Sequence, residues 1–123
     1  MDVRSNALDS GVAVLASGGV RTALDVVKAL ALGASAVGVA GGFLAVVRED
    51  GPDALIETIT TWQEHTRSIM ALLGAVTVEE LAYTDLIVSG DVGAFAAARG
   101  IDITEFANRS SQRPHAKDVR HAR

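Results

Sequence analysis

The chain has 123 residues, 49% of them hydrophobic and 21% charged, which is enough apolar material for one modest core. Its formal net charge is −4, and the absence of cysteine excludes disulfides and thiolate metal sites. The sequence shows neither a secretory signal pattern nor an uninterrupted apolar run of bilayer length, so we expect a cytoplasmic protein without membrane contact.

The first predicted element is a short parallel strand at residues 11–16. Its apolar, partly β-branched residues lack polar alternation, which is typical of a strand buried on both faces. A sharp turn follows at residues 17–19, where two glycines allow positive φ and a close approach of backbone N–H groups to a ligand. Thr22 and Asp25 have the spacing of a capping box, which predicts a helix from this point to Gly33.

A second buried strand is predicted at residues 36–39, and a second glycine turn follows it at 40–42. Parallel strands joined by a right-handed crossover place both turns at the same edge of the sheet. N–H groups and helix dipoles at such an edge favour an anion, as in the phosphate sites of (β/α) barrels. Arg21 is suited to bind that phosphate through a bidentate contact, although a solvated residue in a first helical turn remains the alternative.

The C-terminal half is predicted to be helical. Apolar residues recur at helical spacing from Pro52 to about Gly74, and Trp62 on this stripe is interpreted as a packing residue. Residues 77–80 form a second capping-box pattern, and another short helix is predicted at 92–99. The sequence offers no Ser/His/Asp set, no metal-binding motif and no carboxylate pair with a partner base, so we predict no catalytic and no metal-ligating residue.

The last fifteen residues differ in composition from the rest. Residues 109–123 carry five basic side chains and one acidic side chain, with no apolar periodicity. We therefore divide the chain into a structural part at 1–108 and a basic tail at 109–123 that we expect to be disordered. Nucleic-acid binding by this tail is disfavoured because aromatic residues are not interleaved with the basic ones.

Several segments together resemble the C-terminal part of the type 2 isopentenyl-diphosphate isomerases, which are FMN-dependent. The segments are residues 16–34, 38–44, 72–81, 86–90 and 99–109. The first of them is shared with FMN-dependent α-hydroxy-acid oxidases and dehydrogenases, whereas the third and the last are more discriminating.

This resemblance implies an α/β fold, namely the last two βα units of a partial (β/α)8 barrel followed by C-terminal helices. It also implies FMN as cofactor, with NADPH and Mg²⁺ used elsewhere in the family's enzyme, and the interconversion of isopentenyl and dimethylallyl diphosphate. By motif match, two loops would hold the flavin phosphate: Gly18, Gly19, Val20 and Arg21 in the first, and Ala40 and Gly41 in the second.

The family's first six βα units, with its NADPH and Mg²⁺ sites, have no counterpart in these 123 residues. Our leading hypothesis is therefore an FMN-phosphate half-site that is inactive alone, so that enzyme status is left open. A companion chain or a homo-oligomer would supply the missing strands. The alternatives are a fragment of an α-hydroxy-acid oxidase and a non-catalytic module that self-associates through its exposed strand edges.

Overall fold

The computed structural model describes residues 12–114, which form two compact units, one running to Ala82 and the other starting at Tyr83. The first unit contains a parallel sheet with helices, so the predicted α/β class is confirmed. None of the helices within residues 12–114 combines the length and the hydropathy needed to span a bilayer.

Two short strands form the sheet. Strand β1, Leu15–Ser17, pairs in parallel with β2, Ala36–Gly38, and the pairing runs from Leu15 opposite Ala36 to Ser17 opposite Gly38. The predicted burial of the first strand on both faces differs from the structure, where the Leu15 side chain is 73% exposed. The reason is that burial of a strand face requires elements packed on that face, which pairing with β2 does not provide.

Three α-helices and one 3-10 helix complete the first unit: α1 at Ala23–Ala31, α2 at Gly41–Asp50, α3 at Pro52–Leu72 and the 3-10 helix at Glu79–Tyr83, which ends at the unit boundary. Helices α1 and α2 both pack against α3, and α1 also contacts β2. Gly51, with φ at +89°, makes the tight connection between α2 and α3. The observed bounds of α3, Pro52–Leu72, confirm the long helix predicted from Pro52.

Helix α1 begins with the predicted capping box. The Asp25 N–H donates to Thr22 Oγ1 at 3.3 Å, and the Asp25 carboxylate accepts the Thr22 N–H at 2.9 Å. The buried residues Ala23, Val27 and Ala31 recur every four positions, so one face of α1 is covered by its neighbours. The helix therefore has a fixed start and a fixed orientation.

Helices α2 and α3 are joined by an aromatic contact. The rings of Phe43 and Trp62 lie 5.2 Å apart between centroids, with an interplanar angle of 61°. This edge-to-face arrangement is the favoured geometry for an aromatic pair. It supports the interpretation of Trp62 as a packing residue and fixes the position of the first turn of α2.

The second capping-box pattern opens a 3-10 helix rather than an α-helix. The Glu80 N–H donates to Thr77 Oγ1 at 3.4 Å, and Glu80 Oε2 accepts the Val76 N–H at 2.7 Å. The side-chain pairing is therefore close to the predicted one. The helix that follows is a single short turn of five residues, as is usual for 3-10 helices.

The second unit consists of α4, Gly90–Ala98, and a 3-10 segment, Thr104–Gln112, that is interrupted at Asn108. Its two ends are held together by Arg109, whose side chain is 5% exposed. The Arg109 Nε and Nη2 atoms donate to the Thr84 carbonyl at 3.0 and 2.6 Å. A buried arginine thus ties the end of this segment to the start of the unit.

The predicted tail begins inside this ordered segment, because residues 109–112 belong to it. Ser110 reinforces the attachment, since its N–H and its hydroxyl both donate to the Asp85 carboxylate at 2.7 Å. The partners lie 25 residues away, so local composition does not reveal them. Residues 115–123, the rest of the predicted tail, lie outside the described residues.

We expect Arg109→Lys to destabilise the second unit, because a lysine keeps at most one of the two contacts to Thr84. Losing one hydrogen bond from a charged donor costs about 1.5–3 kcal/mol of unfolding free energy. Urea unfolding and exchange of the Leu86 amide, which donates to the Phe106 carbonyl at 2.7 Å, report the change. Arg99→Lys at the exposed end of α4 is the matched control, and equal effects of the two substitutions would contradict this role of Arg109.

Candidate functional site

A cavity of about 430 Å³ lies at the C-terminal ends of β1 and β2. Both predicted glycine turns line it, together with the last residue of each strand. The lining residues are Ser17, Gly18, Gly19, Val20, Arg21, Gly38, Ala40, Gly41 and Gly42. The structure thus brings together all six residues predicted as a phosphate site and adds Ser17, Gly38 and Gly42 to them.

The strand register places the two turns side by side. Ser17 and Gly38 are the last pair of the ladder, and the Ser17 hydroxyl donates to the Gly38 carbonyl at 3.2 Å. A Cβ atom at Gly38 would lie 3.2 Å from Ser17 Oγ, which is tighter than ordinary side-chain contacts. Glycine at 38 therefore permits the close approach of the strand ends at the base of the cavity.

Four glycines give the cavity its backbone surface. Gly18 and Gly19 have φ of +88° and +72°, as the sequence predicts for this turn. A Cβ atom built on either of them, or on Gly41 or Gly42, would meet no other atom within 4 Å and would stand in open space. Side chains at these positions would occupy the room that a ligand needs.

The N-terminus of α1 is already neutralised by a carboxylate. Asp25 Oδ2 accepts the Arg21 N–H at 3.1 Å, the Thr22 N–H at 2.9 Å and the Thr22 hydroxyl at 2.9 Å. The pKa of Asp25 lies below its usual value. The main cause is the hydrogen bond from the Arg21 N–H, and the second is the hydrogen bond from the Thr22 hydroxyl. Asp25 is therefore charged at neutral pH, and these two backbone donors are not available to a ligand.

The N-terminus of α2 is different. The residue before this helix is Ala40, which has no side chain able to cap, and no side-chain hydrogen bond is made at this end of the described helix. Helix N-termini carry orphan N–H groups and a partial positive charge. Because Ala40, Gly41 and Gly42 line the cavity, these groups lie beside it, as expected for an anion site.

Arg21 is the single cationic side chain among the cavity-lining residues. It is exposed, and its backbone N–H is fixed by Asp25 as described above. An arginine can offer two parallel donors to one phosphate group. The cavity therefore combines backbone donors, a helix dipole and a positively charged side chain, which together suit a phosphate monoester.

Three lining residues were missed by the prediction of individual site positions. Ser17 and Gly42 belong to the two glycine motifs predicted at residues 17–19 and 40–42, so assigning each whole motif to the site would have included them. Gly38 lies inside the predicted second strand, residues 36–39, and only the register with Ser17 reveals its part in the cavity. Within residues 12–114, His and acidic side chains are not grouped in threes as a metal site would require.

The chain is similar to isopentenyl-diphosphate delta-isomerases from several bacteria. It is 52% identical to that of Nocardia farcinica over 101 residues, which cover 82% of this chain and 28% of the relative. The enzyme of Streptomyces sp. (strain CL190) is 49% identical over 106 residues, covering 86% of this chain and 29% of the relative. The enzyme of Listeria innocua is 45% identical over 98 residues, covering 80% and 27%.

The chain thus spans less than a third of the length of these relatives, and it matches their C-terminal part. The predicted resemblance to this group of enzymes is confirmed. The model of the FMN-dependent dehydrogenase family matches residues 2–88, which include both glycine turns and all the residues that line the cavity. By this match the chain belongs to the FMN-dependent dehydrogenase family.

Proposed function

We propose that this chain binds FMN through the phosphate group, using the cavity between the two glycine turns. The observation that carries the proposal is the convergence of the turn at Gly18 and Gly19 and the uncapped, glycine-containing N-terminus of α2 on one cavity. The residues fit the group, since four glycines leave room that a Cβ would fill and Arg21 supplies a positive charge. Family membership supports FMN as the phosphate's carrier.

Each element of the cavity has a distinct part in this proposal. Gly18, Gly19 and Val20 offer backbone to one side of the phosphate, and Ala40 and Gly41 offer the start of α2 to the other. Arg21 balances the phosphate charge. Because the Arg21 and Thr22 N–H groups are held by Asp25, we assign the helix-dipole contribution to α2 and not to α1.

The cavity binds and orients its ligand but moves no protons itself. Its lining consists of glycine, alanine, valine, serine and one arginine, so it contains no histidine, cysteine or carboxylate to act as a general acid or base. When bound, FMN supplies a flavin ring that exchanges electrons and protons with a substrate. We therefore propose that the chain contributes the phosphate half-site to an enzyme and has no activity alone.

The complete activity that we propose is the interconversion of isopentenyl and dimethylallyl diphosphate. The names of the relatives support this substrate, and their identity of 45–52% over most of the chain favours it over an α-hydroxy acid. Residues that would bind NADPH and Mg²⁺ are assigned to the parts of the relatives beyond the matched region.

We further propose that β1 and β2 are neighbouring strands of a (β/α)8 barrel whose other strands come from a companion chain or from further copies. In the described residues, the side chains of Val12 and Leu15 are 64% and 73% exposed although their sequence is that of a buried strand. Parallel sheets normally have both faces covered. In a closed barrel, side chains from the other strands and the outer helices would cover these faces.

Titration with FMN and with riboflavin tests the phosphate proposal. We expect FMN to bind and riboflavin, which lacks the phosphate, to bind much more weakly. Gly41→Val should abolish this preference, because the new side chain fills the cavity. Gly41 does not have positive φ and a Cβ there meets no other atom within 4 Å, so the fold should tolerate the change. Flavin fluorescence gives the affinities, and thermal unfolding checks the fold.

Ala45→Val is the matched control for this substitution. It adds the same side chain one turn further along α2, at an exposed position outside the cavity. It should leave the preference for FMN unchanged. Equal binding of FMN and riboflavin by the parent chain, or an unchanged preference in Gly41→Val, would refute the assignment of the phosphate to this cavity.

Arg21→Ala should weaken FMN binding without affecting riboflavin. One hydrogen bond between charged partners contributes about 1.5–3 kcal/mol, which corresponds to a loss of roughly ten- to a hundredfold in affinity. Arg48→Ala removes an arginine from the last turn of α2, away from the cavity, and is the matched control. Arg21 has no part in FMN binding if both variants bind as the parent does.

The barrel proposal predicts that the chain associates with the preceding βα units of an isopentenyl-diphosphate isomerase. Mass measurement in solution should show a defined complex when both polypeptides are present. Leu15→Lys should weaken it by placing a charge on the exposed strand, whereas Ile56→Lys, at a 63% exposed position on α3, should have a smaller effect. A discrete oligomer of the chain alone would indicate that further copies supply the missing strands. A stable monomer that does not bind the companion polypeptide would contradict the proposal.

A further inference from the structure

Asp25 is adjacent to the proposed phosphate cavity without lining it. Its carboxylate accepts three hydrogen bonds at one oxygen, from the Arg21 N–H, the Thr22 N–H and the Thr22 hydroxyl. An ordinary capping box requires the bond to the N-cap N–H, here that of Thr22. The additional bond to Arg21, at 3.1 Å, reaches one residue further back into the cavity-lining loop.

That additional bond fixes the point at which the glycine turn joins the helix. The backbone from Gly18 to Arg21 includes two glycines with positive φ, and glycine is the residue with the greatest backbone freedom. The loop begins at Ser17, where the strand pairing and the hydroxyl bond to Gly38 hold it. Asp25 holds its other end through the Arg21 N–H, so the four-residue loop Gly18–Arg21 is anchored at both ends.

From this geometry we propose that Asp25 is a positioning residue for phosphate binding, acting through the Arg21 backbone to hold the Gly18–Arg21 loop open around the ligand. The inference rests on the proposed binding of the FMN phosphate in this cavity. Asp25 does not contact the phosphate. Its carboxylate accepts the N–H groups of Arg21 and Thr22, the two residues directly before α1, whereas no side chain caps the start of α2 beside the cavity.

Two substitutions separate positioning from helix capping. Thr22→Ala removes the side-chain acceptor for the Asp25 N–H and the hydroxyl that donates to the Asp25 carboxylate, but leaves that carboxylate able to bind the Arg21 and Thr22 N–H groups. Asp25→Ala removes both functions. If Asp25 only stabilises α1, the two variants should lose stability and FMN preference together.

We expect a different result. Asp25→Ala should weaken FMN binding about tenfold, the size of effect typical when a residue that orients a ligand-binding group is removed. Thr22→Ala should lower the unfolding temperature and leave the ratio of FMN to riboflavin affinity unchanged. Asp25→Asn, which retains an acceptor oxygen, should recover part of the FMN preference. Fluorescence titration of the whole chain gives the ratios, and thermal unfolding gives the stability.

A matched control lies in the second unit. Asp102 Oδ1 accepts the Thr104 N–H at 2.9 Å and the Thr104 hydroxyl at 2.6 Å, a similar arrangement at residues that do not line the cavity. Asp102→Ala should leave the FMN preference unchanged. If the parent prefers FMN and Asp25→Ala retains that preference, the positioning role is overturned. If the parent itself does not prefer FMN, it is the phosphate assignment that fails.

Discussion

The parallel pairing of β1 with β2 is the constraint on which the candidate site depends. Because Ser17 and Gly38 form the last pair of the ladder, the backbone leaves β1 and β2 at the same edge of the sheet. The Ser17 hydroxyl closes this end by donating to the Gly38 carbonyl. A shift of one residue in the pairing would turn side chains to the opposite face and move one turn along the strand direction. The position of the cavity therefore depends first on the register of the two strands and only then on its side chains.

The two helices that start at this edge differ in their electrostatics, although both begin shortly after a strand of the sheet. Helix α1 begins with a capping box, in which the Asp25 carboxylate accepts the N–H groups of Arg21 and Thr22, the two residues directly before the helix. Helix α2 follows Ala40 and begins with Gly41 and Gly42, and no side chain caps that described helix end. Stability favours the first arrangement and anion binding favours the second. This asymmetry explains why α2, with its uncapped start, is the more suitable partner for a phosphate.

Local signals made much of the first unit predictable. Thr22 and Asp25 lie three residues apart, and the positive φ of Gly18 and Gly19 follows from their position between a strand and a helix. The burial of Arg109 was not predictable, because its partner Thr84 lies 25 residues away and its neighbours have the composition of a solvated tail. The additional bond from the Arg21 N–H to Asp25 could not be predicted either, because a capping-box pattern predicts only the contact with the Thr22 N–H.

The exposed first strand and the well-formed cavity have one physical explanation. Leu15 is apolar and exposed because burial of a strand face depends on elements beyond the β–α–β unit, and strand pairing alone does not provide it. The cavity depends on backbone contacts between Ser17 and Gly38 and on glycines within residues 17–42, all inside that unit. A phosphate half-site can thus be complete in geometry while the surface of its strand still lacks a neighbour. The proposed binding of a phosphate and the proposed completion of a barrel therefore depend on different parts of the structure.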